Sequence, residues 1–349
     1  MCAGRPARQC RDRSIDLIKT LAIACVLLIH ASSGGFWSPF ASADWLCTLF
    51  WSTASRAAVP LFLMCSGALF LNPRRELPLG KLYGRYWLRI LTALIVWGAC
   101  YKLIEIARTG AVTMQALADG ALQLLRLEDE THLYYLRIML VFYAFVPIGR
   151  LIVRHASRRD LQYLLLLWLA LGILAPTLAG NWPSAPLAVP EQWPLNTTYT
   201  ALGYGLLGYY LTAWPPERAA VGILSAAGGF LFVFGATLWA SLRQGALYNG
   251  FLEGKTLGVF LQAAGLFVLA RRVQVPDRLA VGLETVSNAS FCIYLAHMAF
   301  LHLFTDLGWT VRLAPCILSI PLTAAAAFGC SVLVWALLRR VPWVRSWLI

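Results

Sequence analysis

Charged side chains are scarce in this sequence. Of its 349 residues only 13% are Asp, Glu, Lys or Arg, whereas 59% are hydrophobic and the mean hydropathy is +0.67. Soluble domains carry about 25% charged residues, so this composition excludes an ordinary soluble domain and predicts a polytopic membrane protein. The net charge of +13 does not indicate a nucleic-acid partner, because the cations cluster between hydrophobic runs.

Motifs of several common site types are also missing. The sequence has no P-loop and no G-x-S-x-G nucleophile elbow. The nine cysteines form no C-x-x-C pair and have no histidine at ligand spacing, so we expect them to be small buried hydrophobes. We therefore expect neither a metal site nor a permanently bound cofactor.

Long apolar runs predict an all-α bundle of about ten transmembrane helices, since about 17–25 apolar residues cross a bilayer. The basic start and Ala41-Ser42-Ala43 resemble a signal peptide, but Lys19 and His30 interrupt its apolar core, so we favour a first bundle helix. The predicted spans are 15–35, 48–71, 86–107, 132–149, 161–180, 197–214, 219–240, 254–270, 286–305 and 313–338.

The distribution of cations predicts the orientation of these spans. Ten spans place 19 Lys and Arg residues on the side of the N-terminus and five on the opposite side. Because cytoplasmic loops carry the excess of Lys and Arg, both termini are predicted to be cytoplasmic. We expect a basic cytoplasmic segment (1–14), a transmembrane domain (15–340) and a cytoplasmic tail (341–349).

The apolar stretch from Asp16 to Trp37, which holds the first predicted span, contains ionisable residues that need a reason to be there, because burying such groups in a membrane is costly. Lys19 lies near the basic end and can extend toward headgroups. His30 follows a run of apolar and small residues, roughly 16 Å further along a helix. A histidine satisfied by a neighbouring helix is the structural alternative, but we favour a functional role.

Other polar residues near the predicted spans are candidates for the same site. Arg85 and Arg89, one turn apart, suit phosphate groups, although anchoring of a cytoplasmic helix end explains Arg85 equally well. Arg56 is a candidate partner for His30 or for an acceptor. His132 and His297 lie in other spans, where they can converge with His30 on a polar cavity.

Four stretches of the sequence together resemble the acyltransferase 3 family of integral membrane acyltransferases. Lys19 and His30 match its Arg/Lys-x10-His signature in the first helix. Three further stretches agree in order and spacing across nearly the whole chain: SRAAVPLFLMCSGALF (55–70), HLYYLRIMLVFYAFVP (132–147) and SNASFCIYLAH (287–297). The sequence departs from the family in having Lys for the commoner Arg, Tyr134 for Trp and Cys292 for Gly.

The resemblance implies a multi-pass enzyme of the inner membrane. It would transfer an acyl group, most simply acetyl, from cytoplasmic acyl-CoA to a hydroxyl of an envelope glycan or lipid-linked sugar. His30 would be the general base or acyl carrier, with Lys19 as motif cation. We expect Lys19, Arg85 and Arg89 to bind the donor. We expect the acceptor to be bound by Arg56, His132, Tyr135 and His297.

A transporter remains the rival interpretation. Histidine and cations within a helical bundle also suit a proton-coupled carrier or flippase. The sequence shows no inverted repeat and no pair of broken helices, which weakens this alternative. A receptor or structural protein, in which the charges only stabilise packing, is the third possibility.

Overall fold

The computed structural model describes residues 11–108, 110, 112–126, 128, 130–182, 197–309, 311 and 313–349. Within these residues the chain is helical and contains no strand. Its α-helices are α1 Arg13–Ser33, α2 Ala43–Ala54, α3 Ala58–Phe70, α4 Leu79–Lys81, α5 Leu88–Arg108, α6 Met114–Leu125, α7 Tyr134–His155, α8 Arg158–Trp168, α9 Ala175–Asn181, α10 Thr197–Ala213, α11 Ala219–Gln244, α12 Leu257–Arg272, α13 Asp277–Asp306, α14 Cys316–Leu338 and α15 Pro342–Trp347.

Short irregular turns extend several of these helices. Wide π-helical turns, Leu82–Trp87 and Leu169–Leu174, join α4 to α5 and α8 to α9. Tighter 3₁₀ turns, Gly34–Trp37 and Thr131–Leu133, follow α1 and precede α7. The joined segments are long enough to cross a bilayer, as the sequence predicts.

The predicted class, a polytopic helical membrane protein, is confirmed. Eight helical segments in the described chain are long and apolar enough to span a membrane. The other two predicted spans coincide with α10 and α12, which have only 17 and 16 residues. The structure adds α6 and α15, which the apolar runs do not predict because both are short.

Helix α1 is the central element of the bundle. It packs against α2, α3, α12, α13 and α14. The Asp12 side chain caps its first turn by accepting hydrogen bonds from the main-chain N–H groups of Ser14 and Ile15. Buried Asp16 is paired with Arg11 through two hydrogen bonds of 2.6 and 2.8 Å. The Asp16 carboxylate is therefore paired where it is buried.

The second predicted span, 48–71, is broken in the middle. Helix α2 ends at Ala54 and α3 begins at Ala58. Gln262 of α12 donates hydrogen bonds to the main-chain oxygens of Thr53 and Ala54, at 3.1 and 3.2 Å. The break thus has its end carbonyls satisfied inside the bundle, as buried backbone groups require.

Small residues bring α3 and α10 into close contact. A Cβ atom on Gly67 would overlap the main chain of Gly205, and one on Gly208 would overlap the main chain of Met64. Residues 203–208 spell G-x-G-x-x-G, but they lie inside α10 and follow no strand. These glycines therefore serve helix packing and are not a dinucleotide-binding fingerprint.

The segment predicted as a tail, 341–349, is packed onto the bundle. Helix α15 lies against α5. Leu348 and Ile349 are buried together with Cys292 of α13 and apolar residues of α5 and α14. The last residues of the sequence thereby reach the same region as Arg89.

Candidate functional site

Helix α1 carries both ionisable residues of the first-helix signature. It is continuous from Arg13 to Ser33, so Lys19 and His30 are separated by eleven residues of regular helix. Eleven residues are close to three whole turns, which places both side chains on nearly the same face, roughly 16 Å apart along the axis. Helix α1 therefore aligns an ammonium and an imidazole along the interior of the bundle.

Three histidines from separate helical segments converge at the His30 end. The ring centroid of His30 lies 5.1 Å from that of His297 and 6.2 Å from that of His132. The His132 and His297 centroids are 5.2 Å apart. The predicted convergence of His30 with His132 and His297 is thus observed; the role of each residue stays a prediction.

Main-chain carbonyls orient the ring of His297. His297 Nδ1 lies 2.7 Å from the carbonyl oxygen of Tyr294 and 3.2 Å from that of Ile293, so it must be the donor. Nε2 of neutral His297 then carries the lone pair, and it has no hydrogen-bond partner among the described residues. Tyr294 in turn donates from its hydroxyl to the carbonyl of His132.

Tyr101 of α5 packs against the same histidine cluster. Its hydroxyl donates to the carbonyl of Leu295 at 2.7 Å and accepts the N–H of Ala299 at 3.2 Å. Its ring meets the His132 ring edge-on, with centroids 5.1 Å apart. Sequence analysis did not identify Tyr101, because no local pattern connects residue 101 to α13.

His30 opens into a cavity of about 400 Å³, called here the His30 cavity. Arg56 lies on its wall, at the break between α2 and α3, and donates a 2.5 Å hydrogen bond to Ser52. Further polar side chains on the wall are Tyr134, Tyr135, Thr200, Tyr204, Asn249, Glu253, Lys255 and Tyr294. A cavity with this many donors and acceptors suits a hydroxyl-rich ligand.

The loop residues of the His30 cavity were not predicted from sequence. Asn249, Glu253 and Lys255 lie between α11 and α12, where the sequence gives only a short polar connection. Glu253 and Lys255 form an ion pair of 2.8 Å. The clustering of three polar residues within seven positions was the available signal.

Lys19 opens into a second cavity of about 330 Å³, the Lys19 cavity. Arg75 and Arg89 also line it, so three cations face one space. Arg89 is further fixed by a hydrogen bond to the main-chain oxygen of Ile349 and by stacking over Phe291, with 4.9 Å between Cζ and the ring centroid. Cations gathered in this way favour an anionic ligand.

Arg85 is placed differently from Arg89. It is exposed and does not line the Lys19 cavity, whereas Arg75, which the sequence did not single out, does. The predicted role of Arg85 in donor binding stays a prediction.

Two tyrosines lie where the cavities approach each other. Tyr135 of α7 and Tyr294 of α13 line both the His30 cavity and the Lys19 cavity. Their ring centroids are 5.4 Å apart at an interplanar angle of 69°. The two cavities are therefore neighbours along α1, separated by an aromatic pair.

A carboxylate lies just before α7, near the histidine cluster. Glu130 Oε1 is 3.2 Å from His302 Nε2 of α13. This hydrogen bond holds the pKa of the Glu130 carboxyl below its usual value, so Glu130 is anionic at neutral pH. The structure thus adds a negative charge on the histidine side of the bundle. The described residues contain no group of three or more His, Cys, Asp or Glu suited to a metal ion.

Comparison with known proteins identifies the family. The acyltransferase 3 family, described as an acyltransferase domain, matches residues 12–340. No curated protein and no solved structure matches the chain. The family match covers the histidine cluster, both cavities and every helix from α1 to α14. The chain therefore belongs to the acyltransferase 3 family and is a multi-pass membrane acyltransferase.

Proposed function

We propose that this protein is an O-acyltransferase that moves an acetyl group from acetyl-CoA to a sugar hydroxyl. The observation that carries the proposal is the arrangement of two cavities along one helix, a cationic one at Lys19 and a polar one at His30. Donor and acceptor then bind in separate spaces that adjoin at Tyr135 and Tyr294. Binding two reactants in adjacent positions is a large part of what a transferase must achieve.

The Lys19 cavity is the proposed donor site. CoA carries phosphates, which Lys19, Arg75 and Arg89 can pair with through charge-assisted hydrogen bonds. The orientation predicted from the cation distribution places this cavity on the cytoplasmic side, where acyl-CoA is available. The pantetheine arm then points along α1 toward His30.

The His30 cavity is the proposed acceptor site. Its tyrosine, threonine and amide groups can bind sugar hydroxyls, and Arg56 and Lys255 can bind an anionic group of the acceptor. His132 lines the same cavity, and His297 packs against His30 with ring centroids 5.1 Å apart. The predicted orientation opens this cavity toward the outer side, where envelope glycans or lipid-linked sugars are modified.

In the proposed reaction His30 removes the proton of the acceptor hydroxyl while the hydroxyl oxygen attacks the thioester carbon. The carbon–sulfur bond breaks, the new ester bond forms, and the proton passes from His30 to the CoA sulfur. In the stepwise alternative the acyl group first bonds to His30, which releases CoA, and the hydroxyl then attacks. Both routes need a neutral imidazole beside the acceptor.

Finer features suggest the kind of acceptor. The chain length and the Ser-Arg…Val-Pro-Leu-Phe stretch at 55–62 are similar to the O-acetyltransferase of enterobacterial common antigen. We accordingly propose an inner-membrane location and an envelope polysaccharide or its lipid-linked precursor as acceptor. Arg56 would then contact an acidic sugar, as its position on the His30 cavity allows.

Replacing His30 by Gln tests the proposal. An amide keeps a polar group in the cluster but cannot exchange a proton near neutral pH. Transfer of labelled acetyl from acetyl-CoA to envelope glycan, in membranes matched for protein level, should fall about 10²–10⁴-fold. The exposed His155, at the end of α7, provides the matched control: His155→Gln should transfer at the wild-type rate.

The same assay separates the proposal from a transporter. A carrier would move its substrate without cleaving acetyl-CoA, so wild-type protein would release no CoA thiol. CoA release that depends on His30 supports the acyltransferase. Normal transfer by a well-folded His30→Gln variant would remove His30 from the mechanism.

A further inference from the structure

Only two of the described residues belong to both cavities. Tyr135 and Tyr294 line the Lys19 cavity on one side and the His30 cavity on the other. They come from two different helices, α7 and α13. The direct line between the cationic cavity and the histidine cluster therefore passes these two rings.

The two rings are in contact with each other. A centroid distance of 5.4 Å at 69° is the edge-on packing of touching aromatic rings. Another ring packs against each tyrosine. The ring centroid of Phe62 lies 6.0 Å from that of Tyr135, and the ring centroid of His132 lies 5.5 Å from that of Tyr294. We call the Tyr135–Tyr294 pair the tyrosine partition.

Within the tyrosine partition, Tyr294 is hydrogen-bonded to the histidine cluster, whereas Tyr135 comes from a different helix, α7. Tyr294 is buried and donates from its hydroxyl to the carbonyl of His132. Altering Tyr294 would therefore also disturb His132. Tyr135 faces Tyr294 from α7, so its side chain can be shortened without removing that hydrogen bond.

We propose that the tyrosine partition determines which acyl groups reach His30, and that Tyr135 is the residue that limits acyl size. The proposal rests on the proposed function, in which an acyl thioester enters the Lys19 cavity and reacts at His30. The carbonyl carbon must pass the partition, and each added methylene must displace more of the two rings. A packed site resists such displacement, so acetyl is favoured over longer chains.

Competition between donors provides the test. Membranes that contain the protein and the envelope glycan receive equal amounts of acetyl-CoA and butyryl-CoA, and mass spectrometry measures the ratio of acetyl to butyryl esters on the glycan. Tyr135→Ala should shift this ratio at least tenfold toward butyryl, because the two additional methylenes of the butyryl group would no longer contact the Tyr135 ring. Tyr135→Phe keeps the ring and should keep the wild-type ratio.

Tyr143 provides a matched control in the same donor cavity. It is an α7 tyrosine that lines the Lys19 cavity but not the His30 cavity. Tyr143→Ala removes as many atoms as Tyr135→Ala, yet the acetyl-to-butyryl ratio should stay within about twofold of wild type. If Tyr135→Ala does not accumulate, Tyr135→Leu, which keeps part of the apolar volume, takes its place with the same expected direction.

The outcomes distinguish this inference from the function on which it rests. A wild-type protein that transfers neither acyl group overturns the proposed function and this inference with it. A wild type that transfers acetyl, together with a Tyr135 variant of unchanged ratio, overturns only the role of the partition. An equal shift in Tyr135→Ala and Tyr143→Ala also overturns it, because general loosening of the donor cavity would then explain the change.

Discussion

Arg89 donates a hydrogen bond to the main-chain oxygen of Ile349, which joins the start of the third membrane segment to residues 260 positions later. Ile349 is only 4% exposed, and Trp97 holds the adjacent carbonyl of Leu348 with a 3.2 Å hydrogen bond. The 348–349 segment therefore fixes Arg89, which is a proposed donor-binding residue.

Removal of Leu348 and Ile349 should weaken donor binding. Arg89 would lose its main-chain partner, and hydrogen bonds to charged groups contribute about 1.5–3 kcal/mol. The KM for acetyl-CoA should therefore rise about tenfold or more, with a smaller change in kcat. Trp343→Ala, which alters an exposed residue of α15, is the control. An unchanged KM in the shortened protein would show that Arg89 does not depend on this segment.

Variants of Arg89 itself test the donor site. Arg89→Ala removes the charge and should weaken acetyl-CoA binding more than Arg89→Lys, which keeps it. Binding can be measured with a non-hydrolysable acetyl-CoA analogue in detergent. Wild-type affinity in both variants would place the CoA phosphates elsewhere.

Lys19 and Lys255 should affect different substrates. Lys19→Ala should lower kcat/KM for acetyl-CoA at least tenfold, whereas Lys19→Arg, which preserves the charge, should keep most of it. Lys255 lines the His30 cavity, so Lys255→Ala should change the KM for the acceptor and leave that for acetyl-CoA near wild type. The steady-state constants for both substrates decide this. A rise in the acetyl-CoA KM from both variants would contradict separate donor and acceptor sites.

The orientation of the bundle can be tested with reporter fusions. The cation distribution predicts that fusions after Arg75, Arg158 and Arg272 face the cytoplasm and that fusions after Arg108 and Lys255 face the opposite side. A phosphatase reporter that is active only outside the cytoplasm measures this. Reversed results at any two of these positions would contradict the predicted ten-span topology.

Sequence predicted most of what depends on local patterns. Apolar runs located the eight segments that are long enough to span a membrane and the shorter helices α10 and α12, and the sequence also placed Lys19 and His30 on one helix. Contacts between distant positions were beyond such patterns. Two such contacts are those of Arg89 with Ile349 and of Tyr135 with Tyr294. Each joins residues whose distance in sequence follows no helical spacing.

Local irregularities explain the remaining differences. Arg75 lies in the connection between α3 and α4, where no helical spacing relates it to Arg89, so sequence analysis singled out Arg85 and overlooked Arg75. The break between α2 and α3 depends on Gln262, which is 209 residues away from Thr53. A continuous span was therefore the natural prediction for 48–71.

Gln262 supports the break that places Arg56 on the His30 cavity. Its amide N–H groups bind the carbonyls of Thr53 and Ala54, and its side chain is buried. Gln262→Leu has a similar size but leaves these carbonyls without that donor, which costs about 1–3 kcal/mol. The melting temperature of the purified protein should fall by several degrees, and the KM for the acceptor should rise as Arg56 moves.

The control for Gln262 is Gln244, an exposed residue at the end of α11. Gln244→Leu makes the same chemical change without breaking a described hydrogen bond to α2, so both the melting temperature and the acceptor KM should match wild type. Gln262→Glu should be worse than Gln262→Leu, because a carboxylate oxygen would face the two carbonyl oxygens instead of a donor. Equal stability of wild type and Gln262→Leu would mean that the break is held by the flanking helices alone, and Arg56 would then owe its position to Ser52.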